Sequence, residues 1–221
     1  AFERFGVPLF TATRPNAAEK PLPSLISAAY GAAAGGWEAA EVFAFLRTGL
    51  AGLDSEECDE LENYCFTWNI GYRRWHEAAD WGMHPDGWRS DFDDAVRERL
   101  ARINGLRRRA AVPLLKFEEA LRSASLAGEH CAALAGLWED LDLAERLAER
   151  AAALERSGRR QAAAEYERIW DAAVDALEQC SAVLGDLPMD AETFSRLYLL
   201  TLSQYSLGVI PVSLDMVTAG D

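Results

Sequence analysis

Two short stretches of the sequence are rich in arginine, one near residue 74, which also contains a tryptophan, and one near residue 108. Arginine binds phosphate groups, and tryptophan stacks on nucleic-acid bases. These stretches therefore predict a DNA interface, although a purely structural role for them is the alternative. The predicted contact residues are Arg73, Arg74, Trp75, Arg107, Arg108 and Arg109.

A second group of reactive residues lies in the same part of the chain. His76 and His84 are close in sequence to Asp80 and Asp86, and imidazole and carboxylate groups can ligate a metal ion or serve a hydrolase. Proximity within a loop is weak support for either. The sequence has no GxxxxGK[ST], HExxH or GxSxG motif. We therefore predict no catalytic residue, no cofactor site and no metal ligand in this chain.

The charge is unevenly distributed. The 221 residues carry a formal net charge of −14, which argues against a surface that grips nucleic acid all over, because phosphate contacts supply most non-specific affinity. Residues 70–125 contain eleven Lys or Arg and nine Asp or Glu, whereas the remainder is strongly acidic. Such asymmetry is typical of one face that meets an anion, and of an excess of arginine on solvated helices.

Cysteine use and hydropathy predict the compartment. Cys58, Cys65, Cys131 and Cys180 are scattered without a CxxC pair, which favours free thiols in a reducing cytoplasm over disulfides or zinc. The apolar runs are short and interrupted by charges, so we expect no membrane span and no signal peptide. The chain starts at Ala1 rather than at Met, and we interpret it as a segment of a longer protein.

Apolar periodicity predicts a mainly α fold, a helical bundle with short extended segments at both termini. Asp54 and Glu57 have capping-box spacing, and Gly49 suits a helix C-terminus. Ser90 or Asp91 is expected to cap a helix that ends near Arg109, and Pro113 is expected to mark a helix start or a kink. The region 69–90 is predicted to be an ordered loop that Trp75, Trp81 and Trp88 attach to the core. The predicted helices span 22–34, 38–47, 54–68, 90–109, 128–139 and 191–205.

A long helical hairpin is predicted from the region between residues 143 and 184. Leu143, Leu147, Ala151 and Leu154 form one apolar stripe, and Ser157-Gly158 marks a turn. The second stripe consists of Tyr166, Trp170, Ala173, Leu177, Cys180 and Leu184. The charges of the hairpin are expected to lie on its solvated outer face. We treat residues 1–221 as one helical domain, with extended ends at 1–12 and 210–221.

Three segments resemble a known family. They are Phe45-Leu-Arg-Thr-Gly-Leu50 with Leu61-Glu-Asn-Tyr64, then Gly6-Val-Pro-Leu-Phe10, and finally Leu214-Asp-Met-Val-Thr-Ala-Gly-Asp221. In this order and spacing they resemble the AddB (RexB-like) subunit of bacterial AddAB helicase–nucleases, specifically the helical insertion of its second motor-like domain. Arg47 stands where the family has Lys, and Asn69-Ile-Gly-Tyr72 follows the family's glycine segment only in part.

The resemblance implies a non-catalytic role inside an ATP-dependent helicase and exonuclease that acts in recombinational repair of double-strand DNA breaks. The segment would position DNA, double-stranded ends or single strands, or an AddA-type partner subunit. Its two extended ends would join the sheet of a host domain. ATP, Mg²⁺ and an iron–sulfur cluster are implied for the parent complex only. A free-standing acidic helical interaction module, or a hydrolase that uses His76 and His84, is the alternative.

Overall fold

The computed structural model describes residues 21–205 together with the backbone of residues 9–11 and 217–219. Within these ranges the chain is mainly α, as predicted, and the helices pack around one hydrophobic core. The elements in chain order are β1 (Leu9–Thr11), α1 (Pro21–Gly35), α2 (Ala39–Arg47), α3 (Ser55–Thr67), α4 (Tyr72–Trp75), α5 (Asp94–Ser123), α6 (Ala127–Asp140), α7 (Leu143–Arg156), α8 (Arg160–Leu184), α9 (Ala191–Gln204) and β2 (Val217–Ala219).

The connection between α2 and α3 has the predicted turn chemistry. Gly49 follows the end of α2 with φ of +68°, a conformation that glycine adopts without steric penalty. The Asp54 carboxylate accepts a hydrogen bond from the Glu57 backbone N–H at 2.8 Å, and the Glu57 carboxylate accepts one from the Asp54 N–H at 3.0 Å. This reciprocal capping box fixes the start of α3.

One face of α3 lies in the core. Leu61 and Tyr64 are buried, as the apolar periodicity predicts, and the Tyr64 hydroxyl donates to the Met83 carbonyl at 3.0 Å. Asn63 is exposed, and so lies outside this buried face. The Leu-Glu-Asn-Tyr sequence therefore contributes to the core through its two apolar positions.

Helix α5 differs from the prediction at both ends. It begins after Asp93, whose carboxylate accepts from the Val96 N–H at 2.8 Å, rather than after Ser90 or Asp91. It runs for 30 residues, through Pro113 to Ser123, so the predicted end near Arg109 and a new helix start at Pro113 are both wrong. Proline removes one backbone donor, but its ring is buried here, and α5 packs against α1, α3 and α6. Tertiary packing outweighs the local penalty.

The predicted hairpin is confirmed as α7 and α8. Gly158 has φ of +80° in the turn between them, and Leu147 and Ala151 are buried along α7. On α8, Ala173 and Cys180 are buried, while Trp170 and Leu177 pack at the edge of the core. Helix α9 follows, and its N-cap Asp190 accepts from the Thr193 N–H at 2.7 Å.

The two ends of the chain lie side by side. Strand β1 pairs in parallel with β2, with Leu9 opposite Val217 and Thr11 opposite Ala219. Residues 9–11 and 217–219, the described parts of the two extended ends, are therefore adjacent in space. The junction of these ends with a host sheet stays a prediction. Among residues 21–205, no helix has the length and apolar character needed to cross a bilayer.

Candidate nucleic-acid interface

Arg107, one of the predicted contact residues, is turned into the protein. Only 5% of the residue is exposed, and its guanidinium lies 4.7 Å from the centroid of the Trp81 ring. It donates to the backbone carbonyls of Ala79 at 2.8 Å and Arg74 at 3.2 Å, and also to those of Trp75 and Glu77. Burial lowers the pKa of Arg107, although a guanidinium keeps its charge at neutral pH. Arg107 therefore shapes the loop from inside and cannot meet a ligand at the surface.

The three tryptophans of the loop differ in burial. Trp75 and Trp81 are fully buried, with ring centroids 5.2 Å apart, and Trp81 stacks on Tyr64. Base stacking by Trp75 is thus incompatible with this conformation. Trp88 is 91% exposed, so the prediction that it attaches the loop to the core is wrong. Its ring lies against Trp68 at the edge of the core, with the two ring centroids 5.0 Å apart.

A buried carboxylate holds the other side of the loop. Glu118 on α5 accepts hydrogen bonds from Trp37 Nε1 at 3.0 Å, Tyr72 Oη at 3.2 Å and Arg122 at 2.8 Å, and its Oε2 lies 2.7 Å from His76 Nε2. Desolvation raises the pKa of Glu118, but the hydrogen bonds from His76 and Trp37 outweigh it, so the pKa lies below its usual value. Glu118 thus ties α4 and the α1–α2 connection to α5.

The remaining predicted cations lie at the surface. Arg73 and Arg74 are exposed on α4, and Arg108 is exposed on α5, where it pairs with Asp80. Arg109 points to the opposite side of α5 and binds Glu57 at 2.7 Å. The structure therefore separates the six predicted residues into two buried residues, three surface cations and one cation in a different cleft. DNA contact by the exposed arginines stays a prediction.

The two histidines of the loop are both engaged. His76 Nδ1 lies 2.8 Å from the Tyr72 carbonyl, so that both of its ring nitrogens face acceptors. His84 is buried, accepts from the Asp86 N–H at 3.0 Å and contacts the Asp91 carbonyl at 3.2 Å. Asp80 and Asp86 bind Arg108 and Arg99 instead of a histidine.

The four cysteines are buried and free, as predicted. Burial raises the pKa of each thiol, to about 11 for Cys131, which keeps the thiolate form that metals require unpopulated at neutral pH. No group of three His, Cys, Asp or Glu side chains is placed to hold a metal ion in the part of the chain that the structure describes. These residues therefore do not fit an iron–sulfur cluster.

A cleft of about 540 Å³ lies between α2, α3, α5 and α7, and four arginines line it. We call it the arginine cleft, and its cations are Arg47, Arg109, Arg146 and Arg150. The charges of the hairpin, which include Arg146 and Arg150, were expected on its solvated outer face. The sequence does contain a signal for the cleft: Arg146 directly precedes the buried Leu147, Arg150 directly precedes the buried Ala151, and the two arginines are four residues apart. That spacing places both arginines on one edge of the packed face.

The chain is similar along its whole length to one class of bacterial protein, the AddB subunit of the ATP-dependent helicase/deoxyribonuclease. It is 34% identical over 224 residues to that subunit of Heliobacterium modesticaldum. It is 34% identical over 223 residues to the corresponding subunit of Moorella thermoacetica, and 29% identical over 220 residues to that of Acetivibrio thermocellus. Each match covers 99% of this chain.

The resemblance to the AddB family is confirmed. The chain spans about a fifth of the length of these relatives, 18% or 19% of each. No protein-family model matches the chain. The similarity to AddB-type subunits extends through all nine described helices.

Proposed function

We propose that this chain is a non-catalytic helical segment of an AddB-type subunit of an ATP-dependent helicase/deoxyribonuclease. The parent protein would act with an AddA-type partner in the cytoplasm, in recombinational repair of double-strand DNA breaks. The observation that carries the proposal is the match of 99% of the chain to about a fifth of each relative. In this proposal the segment positions DNA or the partner subunit, and ATP, Mg²⁺ and any iron–sulfur cluster bind elsewhere in the complex.

The paired ends support a place inside a larger α/β domain. Adjacent parallel strands need a crossover connection of about a dozen residues or more, and they occur mostly in sheets covered by helices. Here β1 and β2 pair in parallel, with the whole helical body between them. This arrangement supports an insertion into the sheet of a host domain. The choice of the second motor-like domain as that host rests on the sequence resemblance.

Two kinds of surface would serve the positioning role, one cationic and one aromatic. The cationic surface consists of the exposed arginines of α4 and the arginine cleft, which provide cations for phosphate groups. Phe66 and Trp88 are 87% and 91% exposed, and large aromatic side chains of this kind are typical of protein interfaces. The aromatic surface formed by Phe66 and Trp88 favours contact with the partner subunit. A free-standing acidic interaction module is the weaker alternative, since the relatives carry this segment within a much longer chain.

The proposal is tested by deletion in the complete subunit. Residues 21–205 are removed, and Lys20 is joined to Ser206 by a short Gly-Ser linker, which leaves enough chain for the crossover between β1 and β2. We expect the complex with its partner to retain DNA-stimulated ATP hydrolysis and to lose processive unwinding of duplex ends. The isolated chain should neither hydrolyse ATP nor cut DNA.

Two results would contradict the proposal. One is a deletion variant that unwinds and degrades DNA as fast as the wild-type complex, which would show that the segment positions nothing. The other is ATP or DNA hydrolysis by the purified chain above a heat-inactivated control, which would show a catalytic site that we have not assigned. A matched control is the same deletion with an unrelated helical domain of similar length in its place.

A further inference from the structure

The arginine cleft has an unusual balance of charge. Six charged side chains line it, four arginines and the two carboxylates of Asp54 and Glu57. Both carboxylates are already occupied. Asp54 and Glu57 cap α3 reciprocally, and Glu57 also binds Arg109 at 2.7 Å and 3.1 Å. The cleft is therefore a cationic site on a chain whose net charge is −14.

Two of the four arginines lack a carboxylate partner. Arg47 binds Asp59 at 2.8 Å and also Glu62, and Arg109 binds Glu57. In contrast, Arg146 donates through Nε to the Leu141 carbonyl at 2.6 Å, and Arg150 donates through Nη2 to the Gly49 carbonyl at 3.0 Å. Within residues 21–205 neither guanidinium forms an ion pair. Because each has five N–H donors, most of their hydrogen-bonding capacity faces the cleft.

The backbone around the cleft accommodates these guanidinium groups. Gly49 and Gly52 both have positive φ, +68° and +85°. A Cβ at Gly49 would collide with the Arg150 guanidinium, and one at Gly52 would lie 3.4 Å from Arg146 Nη2. The loop between α2 and α3 therefore presses its backbone against both arginines. This contact restricts the orientation of the two guanidinium groups, which would be free to rotate on an open surface.

A bound oxyanion would offset the repulsion between Arg146 and Arg150. Arg146 and Arg150 are four residues apart on α7, and like charges at this spacing repel each other. A planar guanidinium binds phosphate through paired hydrogen bonds, which makes a phosphate group the ligand with the best match in charge and geometry. The cleft is larger than a single phosphate requires, and its volume is in the range of sites for small organic ligands.

We propose that the arginine cleft binds the phosphodiester backbone of DNA through Arg146 and Arg150. This inference rests on the proposed function, which makes DNA the source of the phosphates. Arg47 and Arg109, held by their carboxylates, set the positive potential of the cleft walls.

The test measures binding of a fluorescein-labelled oligodeoxythymidylate to the chain by anisotropy, at salt concentrations from about 50 to about 200 mM. The double variant Arg146→Gln/Arg150→Gln should bind about tenfold more weakly at the lowest salt. Its slope of log affinity against log salt should be shallower by about 1.4, which corresponds to two lost single-strand phosphate contacts at about 0.7 each.

A control with the same charge change comes from the tip of the same hairpin. Arg156→Gln/Arg160→Gln also removes two arginines, but these lie outside the cleft. It should keep the wild-type salt slope and an affinity within about twofold of wild type. The variant Arg146→Lys/Arg150→Lys should recover most of the slope, because it keeps the charge and loses only the fork geometry.

Amide NMR of the wild-type chain provides a test that needs no variant. Addition of the oligonucleotide should shift the resonances of Gly49 and Gly52 more than that of Gly158 at the hairpin tip. Inorganic pyrophosphate should reproduce the shifts at higher concentration, because it supplies the same group without the nucleic acid. An acidic peptide such as polyglutamate should displace DNA poorly.

Each contrary result has a separate meaning. If the wild-type chain binds the oligonucleotide but the cleft and control variants weaken equally, the inference is wrong and the proposed function stands. If polyglutamate displaces DNA at equal charge concentration, the cleft takes an acidic protein segment, which also overturns the inference. If the wild-type chain binds no DNA at low salt, the inference fails together with the DNA-positioning part of the proposed function.

Discussion

Two sets of arginines in this chain have opposite orientations. Arg107, one of the arginines predicted from sequence, is turned inward and uses its donors on the backbone of the loop 69–90. The arginine cleft was not predicted, and there Arg146 and Arg150 reach the surface with most of their donors uncommitted. A run of cations in sequence is thus a poor guide to binding. The number of donors left over after folding is a better one.

The two regions also differ in what their charges contribute to stability. Arg107 and Glu118 are buried, and each is surrounded by several hydrogen-bond partners. Removing one leaves those partners unsatisfied in a site with little water. In the cleft, Arg146 and Arg150 are partly exposed, and each donates one hydrogen bond to a backbone carbonyl. We therefore expect substitutions to affect folding in the first region and ligand binding in the second.

The largest effect is expected for Arg107→Met. It removes the donor to several carbonyls of residues 74–79, and each buried carbonyl without a partner costs about 1–3 kcal/mol. We expect the free energy of unfolding to fall by about 3 kcal/mol or more, measured by urea denaturation. Arg108→Met is the matched control on the next residue, where an exposed pair with Asp80 should be worth less than about 1 kcal/mol. Equal losses for the two variants would contradict the inward assignment of Arg107.

An intermediate effect is expected for Glu118→Gln. At neutral pH the loss should be about 1–3 kcal/mol, because charge-assisted hydrogen bonds to Trp37, His76 and Arg122 become weaker ones. The pKa of Glu118 is below its usual value near 4.5, so its contribution is complete above that pH and is lost as the pH falls through the lowered pKa.

The acid dependence gives a second measurement on the same variant. Stability of the wild type should decline below about pH 4.5 more steeply than that of Glu118→Gln, so the difference between the two shrinks with acidification. Glu119→Gln on the same helix is the control, since Glu119 is exposed. A difference between wild type and Glu118→Gln that stays constant from about pH 6 to about pH 3 would show that the Glu118 carboxylate is not preferentially stabilised in the folded state.

The smallest effect on folding is expected for Arg146→Gln/Arg150→Gln. Each arginine gives up one hydrogen bond to a half-buried carbonyl, so together they should cost about 1 kcal/mol in a thermal or urea melt. A loss comparable to that of Arg107→Met would place these arginines among the structural ones and remove the contrast between the two regions.

Local chemistry made most of the fold predictable from the sequence. The capping box at Asp54 and Glu57, the turn at Gly158 and the apolar stripes of α7 and α8 each depend on residues close in sequence, and all were confirmed. The failures depend on distant partners. Pro113 stays inside α5 because of helices packed around it, and Trp88 remains exposed while its neighbours Trp75 and Trp81 are buried.

The site was less predictable for the same reason. Arg107 meets residues 28 to 33 positions away, and Arg150 meets Gly49 from 101 positions away. No periodicity or motif encodes such pairings. The sequence shows where arginines cluster along the chain, but whether a given guanidinium turns inward or outward depends on which backbone carbonyls the fold brings to it.

The way Arg107 holds its loop has a consequence for how this sequence can vary. It binds carbonyl oxygens, which every amino acid possesses, and does not read the side chains of Glu77 or Ala79. Substitutions along that stretch should therefore be neutral, provided that the residue carries no φ requirement and no buried ring. Insertion or deletion of one residue would instead shift every carbonyl out of register with the guanidinium. We therefore expect the length of this loop to be constrained and its amino-acid sequence to tolerate substitution.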